Sequence, residues 1–118
     1  MTIFEVETWK VKSGREEEHE AALRNWLSWV RKHKDLFPEW KSLRYFTKTI
    51  AGEETDRHVM IWEYESLAAF EQYKTRRREY EGPYSEYKKV DPYHKDLFDH
   101  SSMTVEVWKD LERDLWIE

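Results

Sequence analysis

The longest stretch of this chain without a charged side chain is six residues. Every segment long enough to be a helix or strand therefore carries charge, and can bury only one face or stripe. Elements of that kind fold only in layers, each apolar face covered by another. The same limit excludes a membrane span, which takes about 20 apolar residues, and no apolar signal-peptide core follows Met1.

What the chain can bury is mostly ring. Seven Trp, seven Tyr and five Phe make up 16% of its 118 residues, against 38% charged. A chain this charged and poor in rings would be disordered; here the rings supply the burial. The length is that of one domain, read as residues 1–109 with an acidic tail over 110–118. The absence of Cys excludes a disulfide framework, thiolate chemistry and a Cys-based zinc site. A formal net charge of -5 argues against nucleic acid as a partner. The one basic cluster, Arg76-Arg77-Arg78, reads as a solvated helix end. Few amides, no Cys and many charges fit a thermophile's cytosol, and a cytoplasmic location is expected.

Residues 2–11 alternate with period two and predict a strand. Ser13-Gly14 breaks it. Acidic residues at 16, 17, 18 and 20, followed by Ala22, Leu23, Trp26, Leu27 and Val30 at helical spacing, predict a helix from Arg15 to about Lys34. Trp40 to Ile50 and Arg57 to Glu65 read as a hairpin around a polar loop. Ser66 is an N-cap for a helix from Leu67 to about Tyr80, with Leu67, Phe70 and Tyr73 or Lys74 on its inner side. Gly82-Pro83 interrupts; helical segments are expected over 84–89 and 92–99, with Pro92 in a first turn. His100 to Ser102 reads as a turn, and 103–109 as a last strand. The tail ends in Leu115-Trp116-Ile117, an apolar tip expected to dock on its own domain or on a partner subunit.

Strand, helix, strand, strand, helix, strand is the ferredoxin-like α+β order, an antiparallel sheet with its helices on one face. Phe4, Val6, Val105 and Val107 read as the helix-facing set. Glu5, Glu7, Trp9, Glu106 and Trp108 then fall on the other face, and a second copy covering it would close two sheets into a barrel.

The run His58-Val59-Met60-Ile61-Trp62-Glu63-Tyr64-Glu65-Ser66-Leu67-Ala68-Ala69-Phe70 resembles the third-strand-to-second-helix signature of the dimeric α/β-barrel superfamily. It is most similar to the NIPSNAP branch, and the antibiotic-biosynthesis-monooxygenase-like proteins share the superfamily. The opening strand, the break at Lys12-Ser13-Gly14, the long first helix and Thr104-Val105-Glu106-Val107 also match in order, so the resemblance spans roughly 2–109. It implies a homodimer or higher oligomer, and small-molecule chemistry of several kinds: cofactor-free quinone-forming monooxygenases, haem-degrading oxygenases and isomerases. The haem-degrading members use an Asn on the first strand. This chain has Glu5 and Glu7 there, and its one Asn, Asn25, lies in the first helix. No cofactor is therefore expected.

On this reading Glu5, Glu7, Trp9, Arg44, Trp62, Tyr64, Glu106 and Trp108 line a concave, aromatic-walled site for a small hydrophobic or aromatic compound. The alternative is a barrel interior filled by its own side chains, with Arg–Glu pairs satisfying the charges. A one-residue slip in the middle strands would exchange Arg44 for Tyr45 and Trp62 for Ile61. Glu5, Glu7 and Glu106 are the candidate catalytic groups, because crowded, buried carboxyls rise in pKa toward the range of a general base. Trp9, Arg44, Trp62, Tyr64 and Trp108 are the candidate ligand-binding residues. No metal site is assigned: His94, Asp96, Asp99 and His100 cluster in sequence but without a ligand motif, and read as a solvated helix end. His58 reads as a structural histidine. No nucleophile elbow and no Gly-rich phosphate loop is present. The second function class is a non-enzymatic module that assembles through its sheet face and tail.

Overall fold

The computed structural model describes residues 2–111 together with Leu115 and Ile117. Four strands, β1 (Ile3–Val11), β2 (Trp40–Thr47), β3 (His58–Tyr64) and β4 (Phe98–Lys109), form one sheet in the order β2-β3-β1-β4. Every neighbouring pair is antiparallel. With α1 (Glu16–Lys32), α2 (Leu67–Arg77) and the short α3 (Tyr84–Val90), this is the expected ferredoxin-like α+β arrangement.

The local causes are those the sequence carries. Gly14 ends β1 at φ +82°, a conformation open to glycine without strain. Glu16, Glu17 and Glu18 occupy the first turn of α1, beside the positive end of its dipole. His19, Leu23, Trp26 and Val30 are the residues that α1 buries. Ser66 caps α2, its hydroxyl accepting from Ala69 N–H at 3.1 Å.

The core is a continuous set of rings beneath the helices. Trp40 meets Trp62 at 6.1 Å and 68°, and Phe37 meets Tyr87 at 5.0 Å and 65°. Both are edge-to-face geometries, in which the positive ring edge meets the negative face of its partner. Trp26, Tyr73 and Tyr84 are buried in the same cluster.

The strand faces differ from the expectation in one respect. The register places Glu5 opposite Trp62 and Val107, and Glu7 opposite Met60 and Val105. These side chains, with Ile3 and Trp9, face the helices. Phe4, Val6 and Thr8 take the other face, with Arg44, Phe46, Glu106 and Trp108. Val105 and Val107 thus lie on the helix side as expected, while β1 is turned over. Polarity misled because β1 directs its carboxylates inward, where α2 supplies a cation.

A second difference concerns 92–102. One 3-10 turn, Pro92–His94, replaces the expected helix, and Asp91 caps it by accepting from Tyr93 N–H at 3.0 Å. Phe98 and Asp99 are drawn into the sheet by Val11 and Lys10. The expected turn at His100 to Ser102 is instead an irregularity within β4, where the register shifts between Thr8 and Lys10. Of the tail, Asp110 N–H donates to Thr2 C=O at 2.9 Å. Leu115 and Ile117 are exposed. Trp116, the centre of the expected docking tip, lies outside the described residues.

Ser66→Ala should lower stability by about 1 kcal/mol through loss of the cap. A urea titration would show a lower midpoint at unchanged slope.

Candidate functional site

Two carboxylates on consecutive inward positions of β1 set the chemistry between sheet and helices. Glu5 is 2% exposed. Lys74 Nζ reaches from α2 to its Oε2 at 2.9 Å, and the Tyr64 hydroxyl donates to its Oε1 at 3.3 Å. A buried carboxylate needs this pairing, since desolvation would otherwise dominate. Glu7, two residues on, has no hydrogen-bond or ion-pair partner among the described residues.

Around them lies a cavity of about 480 Å³ between the sheet and the helical layer. Its floor comes from β1, β3 and β4, through Glu5, Glu7, Trp9, Met60, Trp62 and Val105. The wall opposite is supplied by α1, α2 and the chain around α3, including Trp26, Tyr73, Lys74, Arg77, Tyr80 and Asp91. Tyr93 and Val105, both lining residues, are 47% and 56% exposed, so the cavity meets solvent between the 3-10 turn and β4.

Burial pushes the Glu7 carboxyl up from its ordinary value of 4.5 to about 7. Glu5 adds to the rise by like-charge repulsion and Asp91 adds less; Lys74 and Arg77 oppose it. Glu7 thus holds a proton near neutrality and can release it there, as a general acid or base must.

The remaining polar groups mostly donate. Trp62 Nε1 is buried without a partner. Tyr73 Oη and Trp40 Nε1 approach Tyr87 and Tyr64 but fall short of hydrogen-bond geometry. Arg77 Nη1 donates to the Tyr80 hydroxyl at 2.6 Å, and that hydroxyl donates to Asp91 Oδ2 at 3.2 Å. Tyr80 holds this bridge from φ +50°, a left-handed conformation that a ring-bearing residue adopts only under constraint.

Beside the cavity, Trp9 Nε1 donates to His19 Nε2 at 2.9 Å, which leaves the His19 proton on Nδ1. Burial, with a smaller push from His58, holds His19 down at about 4. The His58 ring centroid lies 4.8 Å from that of His19, and its Nδ1 bonds the Tyr45 hydroxyl. Burial lowers His58 as well.

The structure brings together Glu5, Glu7, Trp9 and Trp62 as lining residues. Tyr64 lies just behind them, bonded to Glu5. It separates Arg44, Glu106 and Trp108, which belong to the opposite sheet face with Phe4 and Val6. The period of two allows no other outcome once Glu5 and Glu7 turn inward. Glu106 therefore cannot crowd Glu5 or Glu7.

Lys74, Arg77, Tyr80 and Asp91 were not among the expected site residues. The spacing Phe70, Tyr73, Lys74, Arg77 on α2 is the signal that reveals the first two, since it marks one helical face. The basic triplet then divides: Arg77 faces the cavity, whereas Arg76 Nη1 donates to Glu39 at 2.7 Å. Among the described residues no group of three or more metal-ligating His, Asp or Glu is found. Asp96 pairs with Lys12, and His100 bonds the Tyr93 carbonyl.

The same fold occurs in several solved structures. A NIPSNAP family protein from Agrobacterium tumefaciens superposes with a TM-score of 0.69 at 16% identity, covering 95% of each chain. An antibiotic biosynthesis monooxygenase-like protein from Bacteroides thetaiotaomicron gives 0.60 at 14%, over 99% of this chain and 96% of that one. An uncharacterized NIPSNAP-like domain protein from Burkholderia xenovorans gives 0.59 at 17%, over 93% and 85%. No protein-family profile and no curated protein sequence matches the chain. The fold that the strand-to-helix resemblance implied is thus the fold found, and at these identities the likeness speaks for fold alone.

The Glu7 carboxyl ties stability to pH. The folded chain holds this proton more tightly than the unfolded chain does. Its contribution is therefore full below 4.5 and is lost as pH rises through about 7. Glu7→Gln should exceed the parent protein by up to about 3 kcal/mol at pH 8, with the gap closing near pH 4. Paired urea titrations across that window measure it, and the opposite contribution of His19 cancels in the difference.

Proposed function

We propose that this chain is a small-molecule-binding protein of the dimeric α/β-barrel type, holding a hydrophobic or aromatic compound between sheet and helices. Proton transfer by Glu7 is its chemistry. The observation that carries the reading is an unpaired carboxyl, poised near neutrality, inside an aromatic-walled cavity of about 480 Å³. That volume lies in the range of small-molecule sites, roughly 300–1,000 Å³.

A lone carboxylate in such a place serves one class of step. It removes a proton from an acidic C–H or phenolic O–H of the bound compound and becomes the neutral acid. In an isomerase-like cycle the acid returns that proton to a different atom of the same compound. In a cofactor-free monooxygenase-like cycle the carbanion left behind meets dioxygen. Both readings need Glu7, and neither needs Arg44, Glu106 or Trp108.

Titration with naphthols, followed by Trp fluorescence, tests the binding. Quenching is expected in the parent protein. Trp62→Ala should weaken the affinity by at least about fivefold through the loss of ring contact. Trp108→Phe should leave it unchanged. An unchanged spectrum across the naphthols would remove the main support for the reading.

A homodimer belongs to the same proposal, and to the alternative of a non-enzymatic assembly module. Phe46 and Trp108 are 46% and 50% exposed on the face away from the helices, next to Phe4, Ile61 and Val59. Rings so placed favour a second copy as the cover. Sedimentation should give a dimer for the parent protein and a monomer for the double variant Phe46→Glu, Trp108→Glu. A variant that remains dimeric would move the interface elsewhere.

A further inference from the structure

We infer that the compound held in the cavity is an aromatic carboxylic acid. Its carboxylate is received by Arg77. This rests on the cavity reading above and adds a ligand class to it.

Arg77 carries the proposal. Its guanidinium lies 5.1 Å from the Tyr80 ring centroid and 5.5 Å from that of Tyr73, so two aromatic faces hold it in place. One N–H, on Nη1, is used by the Tyr80 hydroxyl. The Nε and Nη2 donors have no hydrogen-bond partner among the described residues, and no carboxylate lies within ion-pair distance. A fixed guanidinium with an unused pair of donors matches the two oxygens of a carboxylate. The other cation of the cavity is not available, because Lys74 is committed to Glu5. Of the carboxylates that line the cavity, Glu5 accepts from Lys74 and Tyr64, Asp91 accepts from Tyr80 and Tyr93, and Glu7 forms no ion pair with Arg77.

Much of the remaining lining is ring and thioether, with Trp9, Met60 and Tyr73 among it, which suits a flat apolar body.

Calorimetric titration with 2-naphthoate and its methyl ester tests this. The acid should bind at least about tenfold tighter than the ester, as a charge-assisted pair requires. Arg77→Gln should abolish that ratio, and a circular-dichroism spectrum like the parent's shows that the variant is folded. Arg77→Lys, with the charge kept and the fork lost, should retain only part of the ratio and serves if Arg77→Gln does not fold. An ester that binds the parent protein as tightly as the acid, or a ratio unchanged in Arg77→Gln, overturns this ligand class but leaves the cavity reading standing. If neither compound binds, both fall together.

Discussion

Everything in this fold bends around the carboxylate of Glu5. A charged group on the covered face of the central strand cannot be packed with hydrocarbon, so α2 has to bring Lys74 to it. Removing one member of such a pair costs about 3–5 kcal/mol, because the other is left buried and unpaired. The ion pair therefore fixes how α2 lies on the sheet. Beside it, Glu7 and the side chains of α2 line the space between the two layers.

The wall opposite the sheet is held differently from the floor. The floor is strand, tied by ladder hydrogen bonds and by rings packed edge to face. The wall is a chain of side-chain contacts, Arg77 to Tyr80 to Asp91, spanning the break between α2 and the 3-10 turn. Tyr80 keeps its left-handed backbone because both ends of that bridge hold its hydroxyl. Strain of this kind persists where the surroundings over-determine it. Here they orient a guanidinium toward the space that Glu7 also faces.

Much of the fold was legible in the sequence. Period two in β1, β3 and the second half of β4, the acidic start of α1 and the cap at Ser66 each follow from local chemistry. So does the strand-to-helix run from His58 to Phe70, which carried the family resemblance. The facing of β1 was not legible. Phe4 and Val6 look like the helix-facing residues, and only a cation from a helix 60 and more residues away lets Glu5 and Glu7 take that side instead. The 92–99 segment misled for a similar reason, since Phe98 answers to Val11 across the sheet and not to its own neighbours. Of the site, Glu5, Glu7, Trp9 and Trp62 were readable as cavity-lining residues, though Glu5, Glu7 and Trp9 were assigned to the sheet face away from the helices. Arg77 was hidden inside a basic triplet whose other members face elsewhere.

The alternation of β1 has one more consequence. Its odd-numbered residues from Ile3 to Trp9 face the cavity side, and the even-numbered ones between them face the open side of the sheet. Point substitutions on either set leave the other in place, so the two faces can drift independently over evolutionary time. An inserted or deleted residue cannot be absorbed that way. It would exchange the two sets from that point on, sending Phe4 or Val6 toward Lys74 and Glu5 out to the open face. This strand should therefore tolerate divergence in composition and almost none in length.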